Sequence, residues 1–147
     1  MKERREGVTG PATATPPLRV LVVDDSAPAR MLIAEAVEAG SSRRGRAIRV
    51  VEACDAFEAL RLLPREPFDL VLTDVNMPAL SGLELIRLIR ARPEHRGLPI
   101  VVLSTEREED DVRRAREAGA DACLPKPFFP SELEALLARL VPFGEGA

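Results

Sequence analysis

Three short runs constrain this chain more than anything else in it. Arg19–Val23, Asp69–Thr73 and Pro99–Leu103 are almost continuously apolar and rich in Val, Ile and Leu. A strand with one wet face alternates apolar and polar residues. A strand with no alternation must be covered on both faces, which is the condition of a parallel sheet sandwiched between helices. Two weaker runs, Ala47–Glu52 and Ala122–Pro125, complete a set of five strands, and Arg49 marks the former as an edge strand.

Helical patterns separate the strands. Pro28–Ala39 places Ala29, Leu32, Ile33, Ala36 and Val37 on one face, with Gly40 available to end it. Asp55 and Glu58 are spaced as a capping box for Ala56–Leu63, which Pro64 stops. Ser81 and Glu84 repeat the device before Gly82–Arg90, and Thr105 and Glu108 repeat it before Glu106–Ala118, closed by Gly119. A last helix from Pro130 buries Leu133, Leu136, Leu137 and Leu140.

Strand and helix thus alternate five times. Short connections and right-handed crossovers predict an α/β, doubly wound (βα)5 three-layer sandwich. With the most apolar strands central, its parallel sheet has the order 2-1-3-4-5. The expected domain runs over residues 18–141, between a charged, Thr- and Pro-rich tail (1–17), read as disordered, and a C-terminal tail (142–147). Ser41–Arg46 is expected as a polar surface loop.

Composition removes several function classes. The chain carries 24 acidic and 21 basic residues, a net charge of −3, and neither Trp nor Tyr. A mildly acidic chain without stacking residues is not expected to bind nucleic acid directly. No apolar run reaches the roughly 20 residues that span a bilayer, and no apolar segment follows the charged start, so the expectation is a cytoplasmic protein without membrane contact. Cys54 and Cys123 match no metal spacing and are read as buried free thiols.

In such a sheet all strand C-termini share one edge, and ligands bind there. Asp24 and Asp25 follow the first strand, Asp74 the third, Ser104 and Thr105 the fourth, and Lys126 the fifth. Three converging carboxylates repel one another unless they cap turns or share a hard divalent cation such as Mg²⁺ or Mn²⁺. Lys126 is one of only two lysines, and it lies between Pro125 and Pro127. The Lys126–Pro127 bond is a candidate for cis geometry, since X–Pro bonds lose little by it. Ser104 offers a hydroxyl that can meet a phosphoryl oxygen or cap a helix. Carboxylate, cation, hydroxyl and ammonium suit phosphoryl transfer, in which positioning and charge neutralisation do most of the work.

The segments LRVLVVDDS, DLVLTDVNMPALSGLEL, PIVVLSTE and GADACLPKPF, in this order and spacing, resemble the receiver domains of two-component response regulators, the CheY-like superfamily with its flavodoxin-like strand order. The resemblance covers Leu18 to about Val141. It implies that Asp74 accepts the phosphoryl group, that Asp25 ligates the metal directly and Asp24 through water, and that Asn76 lends its backbone carbonyl. It implies a switch role for Ser104 and a phosphate-facing cation in Lys126. Asn76 and Glu106 match the positions that tune the lifetime of the phosphate. The implied partners are a sensor histidine kinase or histidine phosphotransfer protein, a downstream protein docked on the helix 4–strand 5–helix 5 face, and possible homodimers. Cys123 stands where family members carry a switching aromatic, and it is read as a packing substitution or a redox-sensitive output position.

Two rival readings remain at this point. One is a pseudo-receiver, an interaction module that is never phosphorylated. The other is an aspartate-nucleophile phosphatase of the haloacid dehalogenase type, which needs a second Asp two residues after the nucleophile, where this chain has Asn76. A receiver in turn is either a stand-alone protein or the excised piece of a longer regulator.

Overall fold

A computed structural model describes residues 16–104 and 109–141, with 41–44 and 109–111 described by secondary structure alone. Five strands, β1 (Leu18–Val23), β2 (Ile48–Ala53), β3 (Leu70–Asp74), β4 (Ile100–Ser104) and β5 (Ala122–Pro125), alternate with α1 (Ala27–Arg44), α2 (Ala56–Leu62), α3 (Gly82–Arg90), α4 (Glu109–Ala118) and α5 (Pro130–Leu140). A 3₁₀ turn, Pro93–His95, precedes β4. All pairings are parallel and the order is β2-β1-β3-β4-β5, as the apolar runs predict.

The runs without alternation explain the layers. Every residue of β3 and β4 is buried. Leu21, Val23, Val71, Ile100 and Val102 face a core with Leu85, Ile86 and Ile89 of α3; Val20, Val22, Leu70, Leu72, Val101 and Leu103 face the opposite core with Ile33, Val37, Leu133 and Leu137 of α1 and α5. Each such aliphatic side chain contributes on the order of 2 kcal/mol when fully buried. β2, with exposed Arg49, is an edge strand.

Local signals hold in detail. Ser81 Oγ accepts from the Glu84 N–H (3.3 Å), and Glu84 Oε1 accepts from the Ser81 N–H (3.1 Å). At α2, Asp55 Oδ1 accepts from the Glu58 N–H (2.8 Å), but Glu58 returns its carboxylate to the Cys54 N–H (2.7 Å), one residue before the cap. The Lys126–Pro127 bond is cis. The Thr105–Glu108 pair and Glu106 lie outside the described residues, as do positions 1–15 and 142–147.

Three expectations are corrected. Helix α1 does not end at Gly40, and Ser41–Arg44 is helix and not loop; the terminating glycine is Gly45, at φ +64°. A left-handed residue there is what glycine supplies at a helix end. Leu32 is 69 % exposed, because the buried stripe of α1 runs through Ile33, Ala34 and Val37. Cys54 is exposed and Cys123 half-buried, so neither is a buried thiol; Cys54 sits in the β2–α2 turn, above the edge of the core.

Candidate functional site

The carboxyl edge of the sheet gathers the residues singled out in the sequence. Asp74 is the last residue of β3 and Ser104 the last of β4, while Asp24 and Lys126 each follow a strand directly. The connections fix them. The Asp24 N–H donates to the Ala53 carbonyl (3.1 Å), extending the β1–β2 ladder by one residue. The Lys126 N–H donates to the Ser104 carbonyl (2.8 Å), so the β5 loop is tied to the end of β4.

Oxygen atoms of Asp24, Asp25 and Asp74 lie within 4.8 Å of one another. Asp24 and Asp74 are buried, at 1 % and 9 % exposure, whereas Asp25 is exposed and open to an incoming group. Lys126 Nζ stands 3.2 Å from Asp24 Oδ2 and 3.5 Å from Asp74 Oδ1. Burial pushes the Asp74 carboxyl above its ordinary range; Lys126 opposes the shift and the Asp24 charge adds to it. Three carboxylates against one ammonium leave two negative charges, the complement of one divalent cation. An all-oxygen donor set of this kind fits Mg²⁺ or Mn²⁺ and not a softer metal.

Asp74 itself is held from below. The Thr73 hydroxyl donates to the Asp74 carbonyl (3.0 Å). The Val75 N–H reaches the Leu103 carbonyl (3.3 Å), and the Gly82 N–H closes the β3–α3 loop onto the Val75 carbonyl (2.9 Å). A Cβ on Gly82 would overlap the Asp74 carbonyl oxygen, so glycine is what lets α3 start this close to the site. Asn76 lies exposed in this loop, two residues past Asp74. Ala79 adopts φ +69°, a left-handed conformation that costs a non-glycine residue roughly 1–2 kcal/mol.

Ser104 is 1 % exposed and pairs in register with Pro125 of β5, the strand on which Cys123 is half-buried. Beside Lys126, an apolar groove of about 500 Å³ runs between α1 and the β5–α5 loop, past Leu32, Ala36, Phe128 and Pro130.

One residue at this edge carried no sequence signal. Arg30 of α1 donates from Nη1 to the Asp24 carbonyl (2.7 Å) and from Nε to Glu52 of β2 (3.1 Å). It is one arginine among many in the sequence, and only the fold shows where it reaches.

Comparison with known proteins agrees with this geometry. The response regulator receiver domain family matches residues 20–138. The chemotaxis protein CheY homolog of Campylobacter jejuni is 35% identical over 130 residues, covering 88% of this chain and 96% of that protein. The phosphate regulon transcriptional regulatory protein PhoB of Klebsiella pneumoniae is 37% identical over 129 residues, 84% of this chain; the match spans about half of PhoB, 53%. The structure of Vibrio cholerae CheY4 superposes with a TM-score of 0.78 at 30% identity, over 86% of this chain and all of that one (100%). Among the described residues no helix is long and apolar enough to cross a membrane. With the strand order, the carboxylate edge and these likenesses in agreement, the chain belongs to the response regulator receiver domain family.

Proposed function

We propose that this protein is a phosphorylation-controlled switch: it accepts a phosphoryl group on Asp74 from a sensor histidine kinase or a histidine phosphotransfer protein, in a reaction that depends on Mg²⁺ or Mn²⁺, in the cytoplasm. The observation that carries this reading is the convergence of Asp24, Asp25, Asp74 and Lys126 at one edge, two negative charges in excess. The unit that performs it is residues 18–141.

Asp24, Asp25, Asp74 and the Asn76 carbonyl would hold the cation, which when bound offsets the charge of the transferring phosphoryl oxygens. An Asp74 carboxylate oxygen forms a bond to phosphorus as the P–N bond of a donor phosphohistidine breaks, and the electron pair leaves on the imidazole nitrogen. The product is an acyl phosphate. Lys126, now within reach of both Asp24 and Asp74, transfers its pairing to the new dianion. Ser104, at the neighbouring strand end, supplies a hydroxyl to a phosphoryl oxygen. Hydrolysis of the acyl phosphate resets the switch, with Asn76 and Glu106 tuning its rate.

The output runs through changed protein contacts on the face of α4, β5 and α5. There a cleft of about 400 Å³ is lined by Arg116, Asp121, Glu132 and Arg139 around Cys123 and Leu136, mixed charges about an apolar floor. Such a rim suits a downstream protein or a second copy of the chain. The half-buried thiol of Cys123 is too small to sweep the volume of an aromatic ring, which leaves Ser104 to carry the switch.

Incubation with acetyl phosphate and Mg²⁺, followed by borohydride reduction and peptide mapping, tests the assignment. Reduction of an acyl phosphate at Asp74 alone is the expected result. Reduction at another carboxylate, or a phosphoryl mass retained through borohydride on a hydroxyl side chain, would sink it.

A further inference from the structure

Two of the three carboxylates, Asp24 and Asp25, sit on the short turn after β1, and most of that turn's polar groups are accounted for. Asp24 Oδ1 accepts the Ser26 N–H (2.9 Å), Oδ2 accepts Lys126, and the Ser26 hydroxyl accepts the Ala29 N–H (3.2 Å). What fixes the peptide between Asp24 and Asp25 is a side chain from the next helix. Arg30 sits one turn into α1, its own N–H bonded to the Ser26 carbonyl (2.9 Å). Its guanidinium reaches back to the Asp24 carbonyl at 2.7 Å, shorter than most neutral hydrogen bonds. The same side chain, 17 % exposed, is anchored by Glu52, which pairs with Val22 in the β1–β2 register.

We infer that Arg30 is a positioning residue for the cation site, acting through the Asp24 carbonyl and braced by Glu52. The carbonyl it holds belongs to the peptide that links the two acidic residues, so its orientation sets where both carboxylates point. Glu52 has a second effect: it neutralises Arg30, so that the guanidinium guides the turn without adding net positive charge beside a cation. A planar fork can serve the carbonyl and the carboxylate at once, and a lysine ammonium at this length cannot hold both in fixed directions. The inference rests on the proposed metal site, and its test separates the two.

The test compares Mg²⁺ affinity by calorimetry, since the chain has no Trp or Tyr to report binding by fluorescence. The full chain is used as wild type and as Arg30→Met, which keeps the aliphatic stem but removes every donor, with Arg30→Lys as the conservative variant. Unfolding of each in EDTA is measured alongside. Loss of an outer partner of a metal ligand weakens affinity by about tenfold or more, so Arg30→Met is expected to bind Mg²⁺ at least about tenfold more weakly, with Arg30→Lys between it and wild type. Arg30→Met that unfolds more easily in EDTA yet binds Mg²⁺ like wild type would overturn the inference and leave Arg30 as packing. Wild type that takes up no Mg²⁺ would overturn the metal site itself, and the positioning role with it.

Discussion

The two ends of the five-stranded sheet both collect charge, and they handle it in opposite ways. At the N-terminal end of the strands, Arg90 of α3 donates to the carbonyls of Leu98 (2.6 Å), His95 (2.8 Å) and Gly119 (2.9 Å) and to Asp121 Oδ2 (2.9 Å). Asp121 in turn accepts the Ile100 N–H (2.8 Å). Arg19 pairs with Glu66 on the same side. Arg90 there meets an anion and the chain ends of several elements, and Arg19 meets an anion. At the C-terminal end, three carboxylates face one lysine, and burial holds Asp74 above its ordinary range. A sheet that can satisfy its charges at one end and leaves them unbalanced at the other is built for stability at the first and for a ligand at the second.

Substitutions should separate the two ends. The largest loss is expected from Arg90→Leu, which strips donors from four carbonyls, those of His95, Arg96, Leu98 and Gly119, and leaves Asp121 without its cation. Partial exposure of Asp121 moderates the cost, and we expect about 3 kcal/mol by urea unfolding, with Mg²⁺ affinity of the folded protein unchanged. Changed affinity would show that the ends are coupled.

Gly82→Ala sharpens the contrast from the other side. Its Cβ would overlap the Asp74 carbonyl, so the loop must shift, at about 2 kcal/mol. Unlike Arg90→Leu, it should also impair phosphoryl acceptance, read as the rate of mass gain with acetyl phosphate.

Asp74→Asn should move stability the opposite way. Because the folded Asp74 carboxyl binds its proton more readily than an unfolded one, its ionised form is a standing cost in metal-free protein. The variant should therefore be more stable than wild type in EDTA at neutral pH. The sign fixes the pH course: the difference shrinks as pH falls through the folded value and closes below the ordinary carboxylate range. A difference that grew on acidification would contradict the burial and repulsion described for this edge.

The stabilisation of wild type by the cation should be smaller than the cost of either Arg90→Leu or Gly82→Ala. At ten times its Kd, Mg²⁺ should raise unfolding free energy by about 1.4 kcal/mol, measured by thermal or urea unfolding. Asp25→Asn should lose most of that gain.

How far the sequence went follows the same division. Strand order was legible because Val, Ile and Leu runs without alternation admit few topologies, and Ser81 with Glu84 located a helix start to the residue. Asp24, Asp25, Asp74, Ser104 and Lys126 were legible because strand ends in a parallel sheet must meet at one edge. Gly40 misled because a glycine facing the core tolerates helix; only the positive φ of Gly45 marks the true end. Leu32 misled because a stripe of α1 drawn one residue too wide still looks amphipathic. Arg30 was invisible: its role depends on a carbonyl and a carboxylate brought to it by β1 and β2, and a pattern of residue types holds no record of where an exposed-looking arginine reaches.

The most direct test of the functional reading is intact mass after exposure to acetyl phosphate, in Mg²⁺ and in EDTA, for wild type and Asp74→Asn. A phosphoryl-sized gain seen only for wild type with Mg²⁺ is expected. Equal gain in EDTA, or gain by Asp74→Asn, would show that the two unbalanced charges at the C-terminal edge are not what the reaction uses.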